Sequence, residues 1–167
     1  MKIGFVAGML LPLIISSSSP GRQAEEDIAL IESYVKAVEN LDYQAMESYL
    51  ADAYTGFGPS YGDSIDKEGA MENWRYNVEH LYEEIDYRRS RNVAVTVSSG
   101  ENRGEWVSNW AELHIRYRNG AGEVTIMANT IYRIEGGKII RSFTFYNEAD
   151  ALRQLGYTFL APERSSY

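Results

Sequence analysis

After an apolar run at the start of the chain, apolar residues recur three and four positions apart over residues 24–42. In AEEDIALIESYVKAVENLD (24–42), Ile28, Ile31, Val35 and Val38 fall at helical spacing, and Tyr34 shares their face. This pattern predicts a first amphipathic helix with one buried side.

Two further segments carry helical start signals. Asp42 precedes YQAMESYLADAY (43–54), and Asp66 precedes KEGAMENWRYNVEHLYEE (67–84), so each aspartate is predicted to cap the helix that follows it. Between these segments, ADAYTGFGP (51–59) leaves the second helix through aromatic residues and ends in a Gly-Pro bend. We expect this stretch to form a pocket wall.

From Ile85 onward the period changes from helical to alternating. Four segments, RNVAVTVSS, EWVSNWAELHIRYRNG, GEVTIMANTIYRIEGG and KIIRSFTFYN, alternate apolar and polar positions, and glycines stand between them as in hairpin turns. NEADALRQLG then predicts a short C-terminal helix. The predicted fold is therefore α+β: three N-terminal helices packed on a cone-shaped, curved antiparallel sheet that encloses a cavity.

Length, net charge and residue types limit the domains, partners and cofactors that are expected of the chain. The chain of 167 residues is expected to hold one domain over 20–160, followed by a tail over 161–167. Sixteen basic and 24 acidic residues give a net charge of −8, which argues against nucleic acid as a partner. Cysteine is absent, and His80 and His114 lack ligand spacing, so no metal and no cofactor is expected.

The N-terminus has the parts of a secretory signal. Lys2 precedes an uncharged apolar run over 3–15, and SSSSP follows it. An alternative, a first buried helix or strand, is weakened by Gly4, Gly8 and Pro12. We expect a signal peptide over 1–19, a periplasmic or secreted location, and no stable membrane insertion after its removal.

The layout, together with YVKAVENLDYQAMESYLADAY and YRIEGGKIIRSFTFYNEADALRQLG, resembles the nuclear transport factor 2-like superfamily. Within it the chain is most similar to the SnoaL-like group, relatives of polyketide cyclases and ketosteroid isomerase, over about 25–157. The resemblance implies a small-molecule ligand in the cone, but this fold hosts both enzymes and binding modules.

The resemblance also implies roles for three positions. Tyr34 matches a first-helix tyrosine of the isomerases that donates a hydrogen bond to the developing oxyanion. The position of the isomerase base falls on Gly58, and that of its protonated acid on about Thr130. Only one of three parts is retained, which argues against steroid isomerase chemistry.

Two other residues are candidate bases. Asp52 is either a displaced base near the cavity mouth or a carboxylate that ends the second helix. Alternation in WVSNWAELHIRY places Asn109 on the cavity face as an orienting group, and it places His114 on the outer face with Trp106 and Trp110. If the faces are reversed, His114 and Glu112 form a histidine–carboxylate pair inside the pocket.

The predicted function is an exported SnoaL-like domain that binds a small, largely apolar organic ligand. The predicted ligand contacts are Tyr54, Phe57, Trp74, Asn109, Thr130, Tyr132 and Tyr146. A second hypothesis is a proton-transfer enzyme (isomerase, cyclase or dehydratase) in which Asp52 or His114 is the base and Tyr34 the oxyanion donor. A third is a non-catalytic interaction domain, and in each case a homodimer through the outer sheet face is expected.

Overall fold

Four α-helices and six strands make up the part of the chain that the computed structural model describes, residues 20–160. In chain order they are α1 (Pro20–Glu39), α2 (Tyr43–Tyr49), β1 (Leu50–Phe57), β2 (Ser64–Asp66), α3 (Lys67–Tyr76), β3 (Tyr82–Val97), β4 (Gly104–Tyr117), β5 (Gly122–Glu135), β6 (Lys138–Tyr146) and α4 (Glu148–Gln154). The predicted signal peptide and the tail lie outside the described residues.

All six strands form one open sheet in the order β2-β1-β6-β5-β4-β3. The predicted α+β class and curved sheet are confirmed, but the sheet is mixed, because β1 runs parallel to β6 while every other pair is antiparallel. β1 occupies residues that were predicted to end a helix and form a loop-like wall. Tyr54, Thr55 and Phe57 are strand-forming residues, and pairing with β6 satisfies their backbone.

Both caps form as the sequence predicts, but both helices end early. The Asp42 carboxylate accepts a hydrogen bond from the Ala45 N–H at 2.9 Å, yet α2 ends at Tyr49. After α3 the chain makes one π-helical turn over Asn77–Leu81, and β3 begins at Tyr82, three residues before the predicted change of period. Pairing of Tyr82 with Tyr117 of β4 overrides the helical preference of the preceding residues.

The core lies between α1 and the concave face of the sheet. Ile31 and Val38 of α1 are 0% and 1% exposed, and they pack in one cluster with Met46, Val107 and Ile139. Burying each such side chain contributes about 1.5–3 kcal/mol. No helix among residues 20–160 is both long and apolar enough to span a membrane.

Candidate functional site

A cavity of about 250 Å³ lies between the helices and the concave face of the sheet. Its lining contains seven tyrosines: Tyr34, Tyr54, Tyr82, Tyr87, Tyr117, Tyr132 and Tyr146. The remaining lining residues are one tryptophan, three hydroxyl residues and eight aliphatic residues: Trp74; Thr130, Ser142 and Thr144; Val38, Ile85, Leu113, Ile115, Val124, Ile126, Ala128 and Ala151. The lining is therefore aromatic and apolar, with hydroxyl groups at several points.

Four phenols form a group that we call the hydroxyl cluster: Tyr34, Tyr54, Tyr87 and Tyr132. Tyr34 comes from α1 and meets Tyr132 of β5 edge-on, with ring centroids 5.8 Å apart. The hydroxyl of Tyr54 is 2.7 Å from the Ser142 hydroxyl. The Trp74 indole, whose N–H can only donate, acts on the Tyr34 phenol in the direction that lowers its pKa, against the larger effect of burial.

Burial keeps these phenols protonated. Burial raises the pKa of Tyr87 to about 12, and the Glu39 carboxylate, which accepts the backbone N–H of Tyr87 at 3.0 Å, adds to the effect. Burial also raises the pKa values of Tyr34 and Tyr132 well above 10, and the neighbouring phenols of Tyr54 and Tyr87 add to the effect at both. At neutral pH the cluster therefore offers hydrogen-bond donors and no general base.

The second aromatic group, which we call the aromatic box, consists of Trp74, Tyr82, Tyr117 and Tyr146. Trp74 and Tyr82 meet at 60° with ring centroids 6.3 Å apart, and Tyr82 and Tyr117 meet at 55° with centroids 5.6 Å apart. All four side chains are half-buried, whereas most of the hydroxyl cluster is buried. The box thus lies closer to solvent.

Six of the ten candidate residues line the cavity. They are Tyr34, Tyr54, Trp74, Thr130, Tyr132 and Tyr146. Alternation along β5 and β6 placed three of them on the cavity side, Thr130, Tyr132 and Tyr146, since each strand puts every second side chain on the concave face.

Two predicted ligand contacts lie elsewhere. Phe57 points to the convex face, where it stacks on Phe143 with centroids 4.9 Å apart. Asn109 is 2% exposed but does not line the cavity, because its amide donates to the Ser90 hydroxyl at 2.8 Å and to the Asn92 side-chain oxygen at 2.9 Å. A bulge in β3 between 88 and 91 brings these acceptors to Asn109.

The three catalytic candidates are not brought together. Asp52 is fully exposed outside the cavity, and a hydrogen bond from Lys67, at 3.0 Å, lowers the pKa of its carboxyl. His114 is buried on the convex face, where its Nδ1 is 3.1 Å from the Thr125 hydroxyl. The alternative that placed His114 and Glu112 inside the pocket is wrong, since the Glu112 carboxylate pairs with Arg89 on the convex side.

Sequence reasoning missed Tyr82 and Tyr87 as lining residues. Because the change of period was placed at Ile85, Tyr82 was assigned to a helix. Tyr87 could have been found from the sequence, since it lies two residues after Ile85 and so shares its face of the strand. Within residues 20–160, no three histidine or acidic side chains lie close enough together to bind a metal ion.

Comparison with known proteins identifies the fold. No family model matches the sequence, and no curated protein matches it. Three solved structures are similar over most of the chain. A candidate polyketide cyclase from Xanthomonas campestris pv. campestris has a TM-score of 0.65 and 14% identity, covering 79% of this chain and 98% of its own. A candidate SnoaL-like polyketide cyclase from Shewanella denitrificans OS-217 has a TM-score of 0.60 and 16% identity, covering 83% and 98%.

The third is an LEH-like epoxide hydrolase from M. tuberculosis, with a TM-score of 0.57 and 13% identity, covering 80% of this chain and 91% of its own. Other similar structures are described as NTF2-like and ketosteroid isomerase-like. Identities this low establish a shared fold and not a shared activity. The chain has the nuclear transport factor 2-like fold that the resemblance of its helical motif and closing hairpin predicted.

Proposed function

We propose that this domain binds a small, largely apolar organic molecule that carries a hydrogen-bond acceptor such as a carbonyl. One observation carries the proposal: among residues 20–160, the lining combines seven tyrosines with aliphatic residues and includes no carboxylate, imidazole, amine or guanidinium. Apolar walls favour an apolar body, and phenols held in the protonated state favour an acceptor on the ligand.

The size of the cavity supports a ring-shaped ligand. A dry engineered cavity of about 150 Å³ is sufficient to bind benzene. The 250 Å³ found here accommodates an aromatic ring with one or two substituents. Protonated phenols, Tyr34 among them, would orient a carbonyl toward the hydroxyl cluster.

The same observation favours binding over proton transfer. A general base must lie within hydrogen-bond reach of the proton that it abstracts. Asp52 is exposed on the outside and His114 faces the convex side, so neither reaches the ligand space. Tyr34 could still polarise a carbonyl. An enzyme that used this cavity would then need a base supplied by its substrate.

Calorimetric titration with acetophenone and with ethylbenzene tests the proposal, since the two probes differ mainly in the carbonyl. We expect acetophenone to bind more tightly than ethylbenzene. The Tyr34→Phe change should weaken the binding of acetophenone by roughly 0.5–1.5 kcal/mol and leave the binding of ethylbenzene unchanged. The Ala128→Leu change should abolish binding of both probes by filling the cavity. Met127→Leu is the matched control, because Met127 is adjacent in β5 but is 67% exposed on the convex face.

Native mass spectrometry of protein purified gently from its own host gives an independent test. A co-purifying small molecule that is lost from the Ala128→Leu variant would support a ligand-binding role. Failure of both probes to bind, together with an empty protein in the mass spectrum, would contradict the proposal.

We also propose that the protein is exported, with residues 1–19 removed. The support is the order of a basic residue, an apolar run over 3–15 and a small-residue exit. N-terminal sequencing of the periplasmic or secreted fraction should find a terminus near Ser18 or Ser19. Protein that keeps Met1 in the cytosol would contradict export.

A homodimer through the convex face is a third proposal. Five large apolar side chains on that face are 39–67% exposed: Val93, Val95, Trp110, Met127 and Phe145. An exposed patch of this kind favours association with another protein surface. Sedimentation should show a dimer at micromolar concentration that Met127→Lys converts to monomer, whereas Tyr76→Lys on α3 should leave it unchanged. A monomeric parent protein would contradict the proposal.

A further inference from the structure

The aromatic box is a group of half-buried rings that meet at steep angles on the more exposed side of the cavity. Trp74, Tyr82 and Tyr117 follow one another at centroid distances of 6.3 and 5.6 Å and at angles of 60° and 55°. Tyr146 lines the same cavity, and after burial its phenol is one of the neighbours that raise the pKa of Tyr82. Rings that meet at such angles form adjoining walls around a small volume rather than a flat stack.

Charged residues of both signs lie near the box, but none of the described residues that line the cavity is charged. Glu148, at the start of α4, is exposed and close enough to Tyr146 to raise the pKa of its phenol. Arg118 follows Tyr117, but its guanidinium donates to the Val78 carbonyl at 3.0 Å and is not part of the lining. In the π-helical turn, the Glu79 carboxylate lies 3.9 Å from the His80 ring. A cation that contacts the ring faces of the box would therefore meet no positively charged side chain in the described lining, and the Glu148 carboxylate lies nearby.

We infer that the aromatic box holds an N-methylated ammonium group of the ligand while the hydroxyl cluster receives the acceptor at its other end. The inference rests on the proposed function and names the ligand class: an apolar ring that bears a quaternary ammonium group and a carbonyl. Several electron-rich rings around a cation stabilise it through their quadrupoles, and this attraction is strongest where water is excluded.

The hydrogen-bonding groups of the box favour an ammonium group whose nitrogen carries methyl groups in place of N–H. A primary ammonium group brings three N–H donors that must find acceptors when they leave water. Among the described residues, the side chains that line the box offer phenol oxygens but no carboxylate. A trimethylammonium group has no N–H to satisfy, and its methyl groups pack against the rings.

Two probes of the same shape test the inference by calorimetry: 4-acetyl-N,N,N-trimethylanilinium and 4-tert-butylacetophenone. They differ only in a charged nitrogen in place of a carbon. At 0.15 M salt we expect the cation to bind about 10-fold more tightly than its neutral isostere. Equal or weaker binding of the cation, with the neutral probe bound, would overturn the inference and leave the proposed function intact. Failure of both probes to bind would overturn the inference, and the acetophenone titration would then decide the proposed function separately.

Variants separate the box from the general negative charge of the protein, which is −8. Tyr82→Phe keeps the ring and should retain the preference for the cation, whereas Tyr82→Leu should lose it. Tyr117→Leu serves as the second variant if Tyr82→Leu does not fold. A preference retained in both leucine variants would overturn the inference, because the selectivity would then come from bulk charge.

Discussion

We expect the protein to lose stability as the pH rises above 10. The loss should be larger than it would be if all the tyrosines were exposed to solvent. Tyr87 is the best-defined case, because burial and the neighbouring Glu39 carboxylate raise its pKa from 10.0 to about 12. A group with a higher pKa in the folded state than in the unfolded state stabilises the fold below the unfolded pKa. That contribution decreases as the pH rises from 10 and is lost above the folded pKa.

The size of the effect follows from the difference between the two pKa values. A difference of about two pH units for Tyr87 corresponds to roughly 2.7 kcal/mol of free energy of unfolding. A natural domain has a total stability of about 5–15 kcal/mol. Tyr34 and Tyr132 have pKa values raised in the same direction, so their ionisation adds to the loss.

Urea unfolding between pH 8 and pH 12, combined with phenolate absorbance, measures this loss. The Tyr87→Phe variant is the control, since its stability should decrease by about 2 kcal/mol less than that of the parent protein over the same pH range. Identical pH profiles for the two proteins would refute the assigned cause. So would cavity phenols that titrate near pH 10 in the folded state.

Two further predictions concern stability alone. Asp42→Ala removes the carboxylate that accepts the Ala45 N–H at 2.9 Å, and thermal unfolding should show a loss of about 1 kcal/mol; an unchanged midpoint would contradict the cap. Gly58 has φ +88°, and a Cβ there would lie 2.4 Å from the Thr144 carbonyl oxygen. Gly58→Ala should therefore destabilise more than Gly62→Ala, which has φ +91° but open space around it. Equal losses in urea titrations of the two variants would show that backbone strain alone matters.

Periodicity determined the class of fold and most of the cavity wall. Alternation along β5 and β6 is a local property, so it assigned Thr130, Tyr132 and Tyr146 to the concave face without knowledge of neighbouring strands. The stripe of α1 placed Tyr34 beside the core in the same way. The capping aspartates marked where α2 and α3 begin, because capping depends only on residues within one turn.

Tertiary structure decided what local spacing does not encode. Parallel pairing of β1 with β6 depends on residues far apart in the chain, and it turned Phe57 to the convex face. A bulge in β3 supplied acceptors to Asn109 and so withdrew that amide from the ligand space. The early start of β3 added Tyr82 to the wall, because cross-strand pairing with β4 outweighed the helical pattern before it. The sequence by itself thus determined which faces are apolar, and long-range strand pairing determined which side chains share the cavity.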